Sequence, residues 1–152
     1  MTGCEIENFL YEGMKAIIAS DRASDSPVVN PALSGGVYYR GTRPLQREQG
    51  GTDKEDIVVA CTEGDEHQIQ KGVCVVDIYV PDITVASGAH MRNKQRTDML
   101  ESWAKTLPSL LTRSGDIYFT RSSMVLTRSE DAIHQHYVSL KMDFRLLNND
   151  YQ

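Results

Sequence analysis

The sequence has 152 residues, 40% of them hydrophobic and 24% charged, and a formal net charge of −5. This length suits a single domain over residues 1–152 with a real hydrophobic core, and this composition excludes a disordered chain. The acidic balance without a dense lysine and arginine cluster argues against specific nucleic-acid binding, and the lack of an apolar run of ~18 residues or a signal-peptide pattern argues against a membrane span or secretion.

The first predicted element is a helix over residues 5–19. Its apolar residues recur at three- and four-residue steps and form one stripe: Ile6, Phe9, Leu10, Met14, Ile17 and Ile18. Gly13 weakens this helix by roughly 1 kcal/mol relative to alanine. An irregular loop is predicted over residues 20–36, because prolines and Gly35-Gly36 interrupt any regular pattern there.

Three strands are predicted next. A short one covers residues 37–40, and a polar, turn-rich loop over 42–55 separates it from a second over 56–62. The third covers residues 69–80, where both faces are nearly equally apolar until Asp77. This pattern predicts a central strand that is covered on both sides.

A second helix is predicted over residues 91–111, after an irregular loop at 82–90. Residues at alternating steps of four and three mark its core face: Arg96, Leu100, Trp103, Leu107 and Leu110. Pro108 should end or kink this helix, because proline cannot donate the helical hydrogen bond.

Two strands complete the chain, one over residues 117–127 with a polar middle and one over residues 133–146. The last strand places His134, His136, Val138, Leu140, Met142, Phe144 and Leu146 on one face and polar residues on the other. The element order is thus α-β-β-β-α-β-β. It predicts an α+β fold in which one mainly antiparallel sheet of about five strands carries two helices on one face.

The histidines and cysteines give weak signals for chemistry. His134 and His136 would share one strand face and could bind a metal, with His67 or His90 as a further ligand, but half-buried histidines at a strand start are the commoner case. Three cysteines (Cys4, Cys61 and Cys74) without a secretion signal indicate reduced thiols rather than a Cys61–Cys74 disulfide. No spacing constrains Cys74 to act as a nucleophile with a histidine base.

Charged residues cluster in two turns and one loop. The acidic groups are Asp53, Glu55 and Asp56, then Glu63, Asp65 and Glu66, and the basic run is Arg40, Arg43 and Arg47. Paired carboxylates can hold Mg²⁺, although solvated loop charge is far commoner. Phosphate-binding, dinucleotide and nucleophile-elbow motifs are absent. As functional features, the acidic and basic runs would be complementary patches on neighbouring subunits.

Four segments carry a resemblance to a known family. These are Tyr39-Arg40-Gly41-Thr42-Arg43-Pro44, Glu55-Asp56-Ile57-Val58-Val59, the strand from Gln70 to Pro81, and the strand from His134 to Arg145. Together they resemble the tail-terminator and minor tail proteins of long-tailed phages, including prophage copies. The resemblance spans roughly residues 37–147.

The resemblance implies a non-enzymatic virion protein without a cofactor. Such a protein forms a ring, commonly hexameric, at the head-proximal end of the tail tube and contacts the tube and the head–tail connector. It would assemble in the host bacterial cytoplasm and remain in the virion tail. The expected interface residues are Arg40, Arg43, Arg47, Asp53, Glu55, Glu63 and Asp65. Two alternatives remain: a head–tail connector or stopper, and a small metal-dependent nuclease or hydrolase using His134, His136 and loop carboxylates.

Overall fold

Two long antiparallel strands, β3 (Ile69–Pro81) and β8 (Gln135–Leu147), pair over their full length and form the centre of a mixed sheet. The computed structural model describes residues 1–19, 31–44, 54–65, 67–113 and 115–147. The remaining elements are α1 (Gly3–Ala19), β1 (Val37–Tyr39), β2 (Ile57–Gly64), β4 (Ile83–Thr84), β5 (His90–Met91), α2 (Lys94–Ala104), α3 (Leu107–Leu111), β6 (Ile117–Arg121) and β7 (Leu126–Glu130). The main sheet has the order β1-β2-β3-β8-β6, with β7 also paired to β8.

The α+β class is confirmed, and the prediction of a mainly antiparallel sheet of about five strands is approximately right, since the described residues form a mixed sheet of six strands. β1 pairs parallel to β2, whereas every other strand pair in the described residues is antiparallel. A parallel pair needs a crossover between its strands, and the chain between β1 and β2 makes it. The predicted loops at 20–36 and 42–55 lie largely outside the described residues.

All three helices pack on one face of the sheet. α1 contributes Ile6, Leu10 and Met14, and α2 and α3 contribute their own buried stripe. These side chains meet alternate residues of β3 and β8 in one core: Cys74, Val76, Ile78, Val80, Val138, Leu140, Met142, Phe144 and Leu146. β3 is a central strand, as predicted, but it is not fully covered on both sides, because the side chains of its second face are only half-buried.

The predicted helix over 91–111 is two helices. α2 begins only after Asn93, whose side-chain oxygen accepts a hydrogen bond from the Arg96 N–H at 3.2 Å. It ends before α3 because Pro108, near the start of α3, has no N–H to continue the helical ladder. Most of the loop predicted at 82–90 is a hairpin, in which the two short strands β4 and β5 pair antiparallel.

The predicted strand over 117–127 is also two elements. Four residues, 122–125, separate β6 from β7, whereas only Leu140 and Lys141 separate their partners on β8. The two extra residues form a bulge at the edge of the sheet. Because the register shifts by an even number of residues, β6 and β7 keep the same alternation of side chains toward the core. At the other end of β7, a 3-10 turn over Asp131–Ile133 delays the last strand to Gln135.

Two glycines permit close packing on the core side. A Cβ on Gly72 would lie 2.2 Å from the Glu63 carbonyl oxygen and 2.4 Å from the Phe144 ring, so the ring packs directly over the bare backbone. A Cβ on Gly13 would lie 2.8 Å from Leu111 Cδ2, which explains a glycine inside α1. Glycine at position 13 lowers the helical propensity of α1, but it leaves room for the Leu111 side chain of α3 beside α1. The described residues contain no helix long and apolar enough to span a membrane.

Candidate functional site

The face of the sheet opposite the helices holds most of the candidate residues. We call it the helix-free face and define it by the outward residues of β2, β3 and β8: Val58, Ala60, Val73, Val75, Asp77, Tyr79, Tyr137, Ser139, Lys141, Asp143 and Arg145. Val58 and Ala60 are buried, the outward residues of β3 are half-buried, and Lys141, Asp143 and Arg145 are exposed. Val73, Val75 and Tyr79 thus form an apolar strip along β3, which Asp77 interrupts and which charged side chains of β8 border.

Arg43 folds over one end of this face and is held inside the protein. Its Nε donates to Asp56 Oδ2 at 2.8 Å, and its Nη2 donates to Gln135 Oε1 at 2.8 Å and to the Lys54 carbonyl at 3.2 Å. Its guanidinium lies 4.1 Å from the centroid of the Tyr79 ring. The Arg43 side chain is 6% exposed and that of Asp56 is 0% exposed, so this is a buried ion pair.

Asp56 joins the same network to the start of β1. Its Oδ1 accepts the Gly36 N–H at 3.0 Å, while its backbone carbonyl accepts the Tyr79 N–H at 2.8 Å. Glycine is required beside this carboxylate, because a Cβ on Gly35 would lie 2.0 Å from Oδ1. The buried carboxylate of Asp56 therefore joins the start of β1 to the turn after β1, and Arg43 extends the network to Gln135 at the start of β8.

Arg40 is exposed and lies in the turn of residues 39–42, which we call the Arg40 turn. The turn is closed by the Thr42 N–H, which donates to the Tyr39 carbonyl at 3.0 Å, and by Gly41 at a φ of 87°, which favours glycine. The Arg40 side chain makes no hydrogen bond or ion pair within the described residues. It lines a cavity of about 330 Å³ together with Arg43, Val58, Asp77, Tyr79, Glu130 and Ile133.

Asp77 is a half-buried acidic residue of the helix-free face. Its Oδ1 is buried and has no hydrogen-bond partner within the described residues. Burial raises the pKa of the Asp77 carboxyl above its ordinary 3.8, while a hydrogen bond from Ser139 and the charges of Arg40 and Arg128 lower it. The ionised carboxylate is thus less favourable in the folded protein than in the unfolded chain.

A wider groove of about 600 Å³ occupies the other end of the helix-free face. We call it the charged groove; its lining side chains are Glu63, Asp65, Lys71, Val73, Tyr118, Thr120, Asp143, Phe144 and Arg145, with Gly64 and Gly72. Glu63, Val73, Asp143 and Thr120 form one row across four strands, and Lys71, Arg145 and Tyr118 form the next. The sequence predicted Glu63 and Asp65 as site residues and missed Asp143 and Arg145, which only the strand register brings beside them.

Two other expected interface residues have different surroundings. Glu55 forms an ion pair with Arg96, whose Nε and Nη2 donate to it at 2.6 and 2.8 Å, and its side chain is 14% exposed. Arg96 also donates to the Pro31 carbonyl at 2.6 Å, so the pair ties the chain before β1 to α2. Arg47 and Asp53 lie outside the described residues, and their placement stays a prediction.

The histidines do not converge on one point. His136 Nδ1 lies 2.6 Å from Asp82 Oδ1, whereas the His134 ring stacks on His90 with centroids 3.9 Å apart. His134 has a φ of 55° and precedes β8, so the prediction that it shares a strand face with His136 is wrong. Within the described ranges, no group of three or more His, Cys, Asp or Glu residues is placed to hold a metal ion.

The cysteines are free thiols in the structure. Cys61 and Cys74 are direct partners across β2 and β3, Cys4 is exposed, and Cys74 is fully buried. Burial raises the pKa of the Cys74 thiol to about 12. At neutral pH the thiol is protonated, which is the unreactive form of a cysteine nucleophile.

Comparison with known proteins adds little to this geometry. No family model matches the sequence, and no curated protein matches it. One solved structure, whose name states no function, is similar to this protein with 14% sequence identity and a TM-score of 0.44. The match covers 91% of this chain and 94% of the chain in that structure. A likeness at that level carries no argument about function.

Replacing Asp56 with asparagine is expected to destabilise the fold by about 3–5 kcal/mol, because it leaves the Arg43 guanidinium buried without its counter-charge. Urea denaturation of wild type and Asp56→Asn measures this difference. The control is Lys94→Ala, which removes an exposed pair with Asp98 on α2 and should cost no more than about 0.5 kcal/mol. Equal losses in the two variants would contradict the role given to the buried pair.

Replacing Asp77 with asparagine is expected to give a stability gain that grows with pH. Because the folded pKa is raised above 3.8, the wild type bears no penalty below about pH 4 and loses stability as pH rises through the folded pKa. The difference in free energy of unfolding, measured by urea titration between about pH 4 and pH 8, should therefore increase in favour of Asp77→Asn. A difference that is flat or falls with pH would be inconsistent with a destabilised carboxylate.

Proposed function

We propose that this protein is a non-enzymatic structural component of a phage virion, a tail terminator that forms a ring at the head-proximal end of the tail tube. The observation that carries the proposal is the open helix-free face, which has unpaired charges at two different places. A closed ring needs two complementary contact patches on each subunit, because its contacts are heterologous. The resemblance of residues 39–44, 55–59, 70–81 and 134–145 to tail-terminator proteins supports the same role.

The charges available for contacts are a subset of those expected from the sequence. Arg40, Glu63 and Asp65 are exposed, whereas Arg43 and Glu55 are engaged in ion pairs inside the subunit. Charges that already have buried partners stabilise the fold, and breaking them to make an interface would be costly. We therefore assign the contacts to Arg40 and to the charged groove, and we assign Arg43 and Glu55 to holding these surfaces in place.

The apolar strip of the helix-free face suits a protein partner better than a small molecule. Interfaces combine an apolar centre with a charged rim, and Val73, Val75 and Tyr79 provide such a centre between the charges of β8 and the Arg40 turn. In the proposed role, one part of the subunit contacts its ring neighbours, and other parts contact the tail tube and the head–tail connector.

The wild-type protein is expected to associate with itself as its concentration rises, because ring closure depends on contacts between identical subunits. Light scattering from micromolar to millimolar protein measures the molar mass, which should rise from the 17.0 kDa of one chain to that of a closed ring. Electron micrographs of the associated fraction mixed with tail tubes should then show rings at tube ends.

The outcomes of this experiment separate the candidate functions. A monomer at every concentration, with no binding to tube ends, contradicts the tail-terminator proposal. Rings that bind purified connector and ignore tail tubes would replace it with a head–tail connector or stopper. Divalent metal that copurifies at one ion per chain would instead favour the hydrolase alternative, which needs a bound ion for its chemistry.

A further inference from the structure

We infer that the Arg40 turn of one subunit docks into the charged groove of a second copy of this chain. The inference rests on the proposed function and specifies which surfaces form the ring contact. Arg40, Glu63 and Asp143 are all exposed, and their side chains form no hydrogen bond or ion pair within the described residues. The Arg40 charge does act on Asp77 in the cavity that they both line, where it lowers the pKa of the Asp77 carboxyl. Opposite charges left unpaired on one surface are the complementarity that registers two subunits.

Arg40 and Glu63 of one subunit form no ion pair with each other in the structure. The Arg40 N–H donates to the Val59 carbonyl at 3.1 Å and continues the parallel register in which Tyr39 pairs with Val59, so Arg40 is level with Ala60. Ala60 pairs with Val75, and Glu63 pairs with Val73 because a bulge between Cys61 and Glu63 absorbs one residue and places Glu63 on the helix-free face. Two register steps, or about 7 Å of strand, therefore separate Arg40 from Glu63. The Arg40 side chain lines a cavity with Val58 and Tyr79, on the side away from Glu63. We therefore assign the contact between Arg40 and Glu63 to two subunits that are offset along the sheet.

The charged groove is suited to one guanidinium. Its lining has three carboxylates and two cations, which give a formal charge of −1: Glu63, Asp65 and Asp143, with Lys71 and Arg145. One arginine therefore neutralises it. Val73 lies between Glu63 and Asp143 in the acidic row, and the Tyr118 side chain, 45% exposed, provides an aromatic wall. Two carboxylates and an aromatic ring are the groups that bind a planar guanidinium.

The contact is head-to-tail. Each subunit offers the Arg40 turn at one end of the helix-free face and the charged groove at the other, so occupation of both by neighbours propagates through every subunit. Such a heterologous contact closes into a ring or extends into a filament, depending on the rotation between subunits. Gly41, with open space around it, lets the turn project from the surface.

Charge reversal tests the contact. Arg40→Glu alone and Glu63→Arg alone are each expected to weaken self-association at least tenfold, because each sets like charges against one another. A one-to-one mixture of the two variants should associate again, since each carries the charge that the other lacks. Sedimentation equilibrium or light scattering of the single variants and of the mixture gives the three association constants.

Two matched controls exclude a general effect of net charge. Arg92→Glu reverses an exposed arginine just before α2, and Asp116→Arg reverses an exposed carboxylate in the turn before β6. Both should associate like wild type. Urea denaturation should show that Glu63→Arg and both controls fold as stably as wild type to within about 0.5 kcal/mol, as expected for exposed positions. Arg40→Glu places a second negative charge near Asp77 and should lose more stability while remaining folded.

Each result decides between the inference and the proposed function. Weak single variants with recovery in the mixture support the docking of Arg40 in the charged groove. Single variants that associate as tightly as wild type, or a mixture that does not recover, overturn this contact while leaving a ring built from other surfaces. A wild-type protein that stays monomeric overturns both the contact and the self-assembly that it serves.

Discussion

The antiparallel pairing of β3 with β8 is the constraint on which the rest of the structure depends. Thirteen register pairs join the two strands, and their alternation assigns every second side chain to the helix-covered core. The remaining side chains define the helix-free face, with Asp77, Asp143 and Arg145 among them. The same ladder that buries the core therefore sets the spacing between the Arg40 turn and the charged groove.

The buried pair of Arg43 and Asp56 separates structural charges from available ones. It draws one arginine of the turn into the protein and leaves its neighbour Arg40 at the surface. Removing a charge from water is costly unless its partners are well placed, and here the Gln135 amide and the Gly36 N–H complete the network. The pair of Glu55 and Arg96 has a similar role on the other side of the sheet. Adjacent charges in the sequence thus acquire different functions.

Much of the fold was predictable because the patterns were local. The sequences of α1, β3 and β8 show the periodicity of their hydrophobic residues directly, and Pro108 predicted an interruption of the helix over residues 91–111. The parallel pairing of β1 was not predictable, because it depends on a crossover rather than on either strand. The burial of Asp56 was hidden for a similar reason: Arg43 lies 13 residues away and Gln135 is 92 residues from Arg43. The charged groove was not predictable either, because its residues come from separate strands and are brought together only by the register of β8 with β3 and β6.

Carboxyl-group footprinting of dilute and concentrated protein tests most directly whether copies meet through the helix-free face. The account predicts that labelling of Glu63 and Asp143 falls in the associated state, while labelling of the exposed carboxylates of Asp98 and Asp116 is unchanged. Protection arises because a docked subunit excludes reagent from the charged groove. Unchanged labelling of Glu63 and Asp143 in a fully associated sample would contradict the account and assign the contact to another surface.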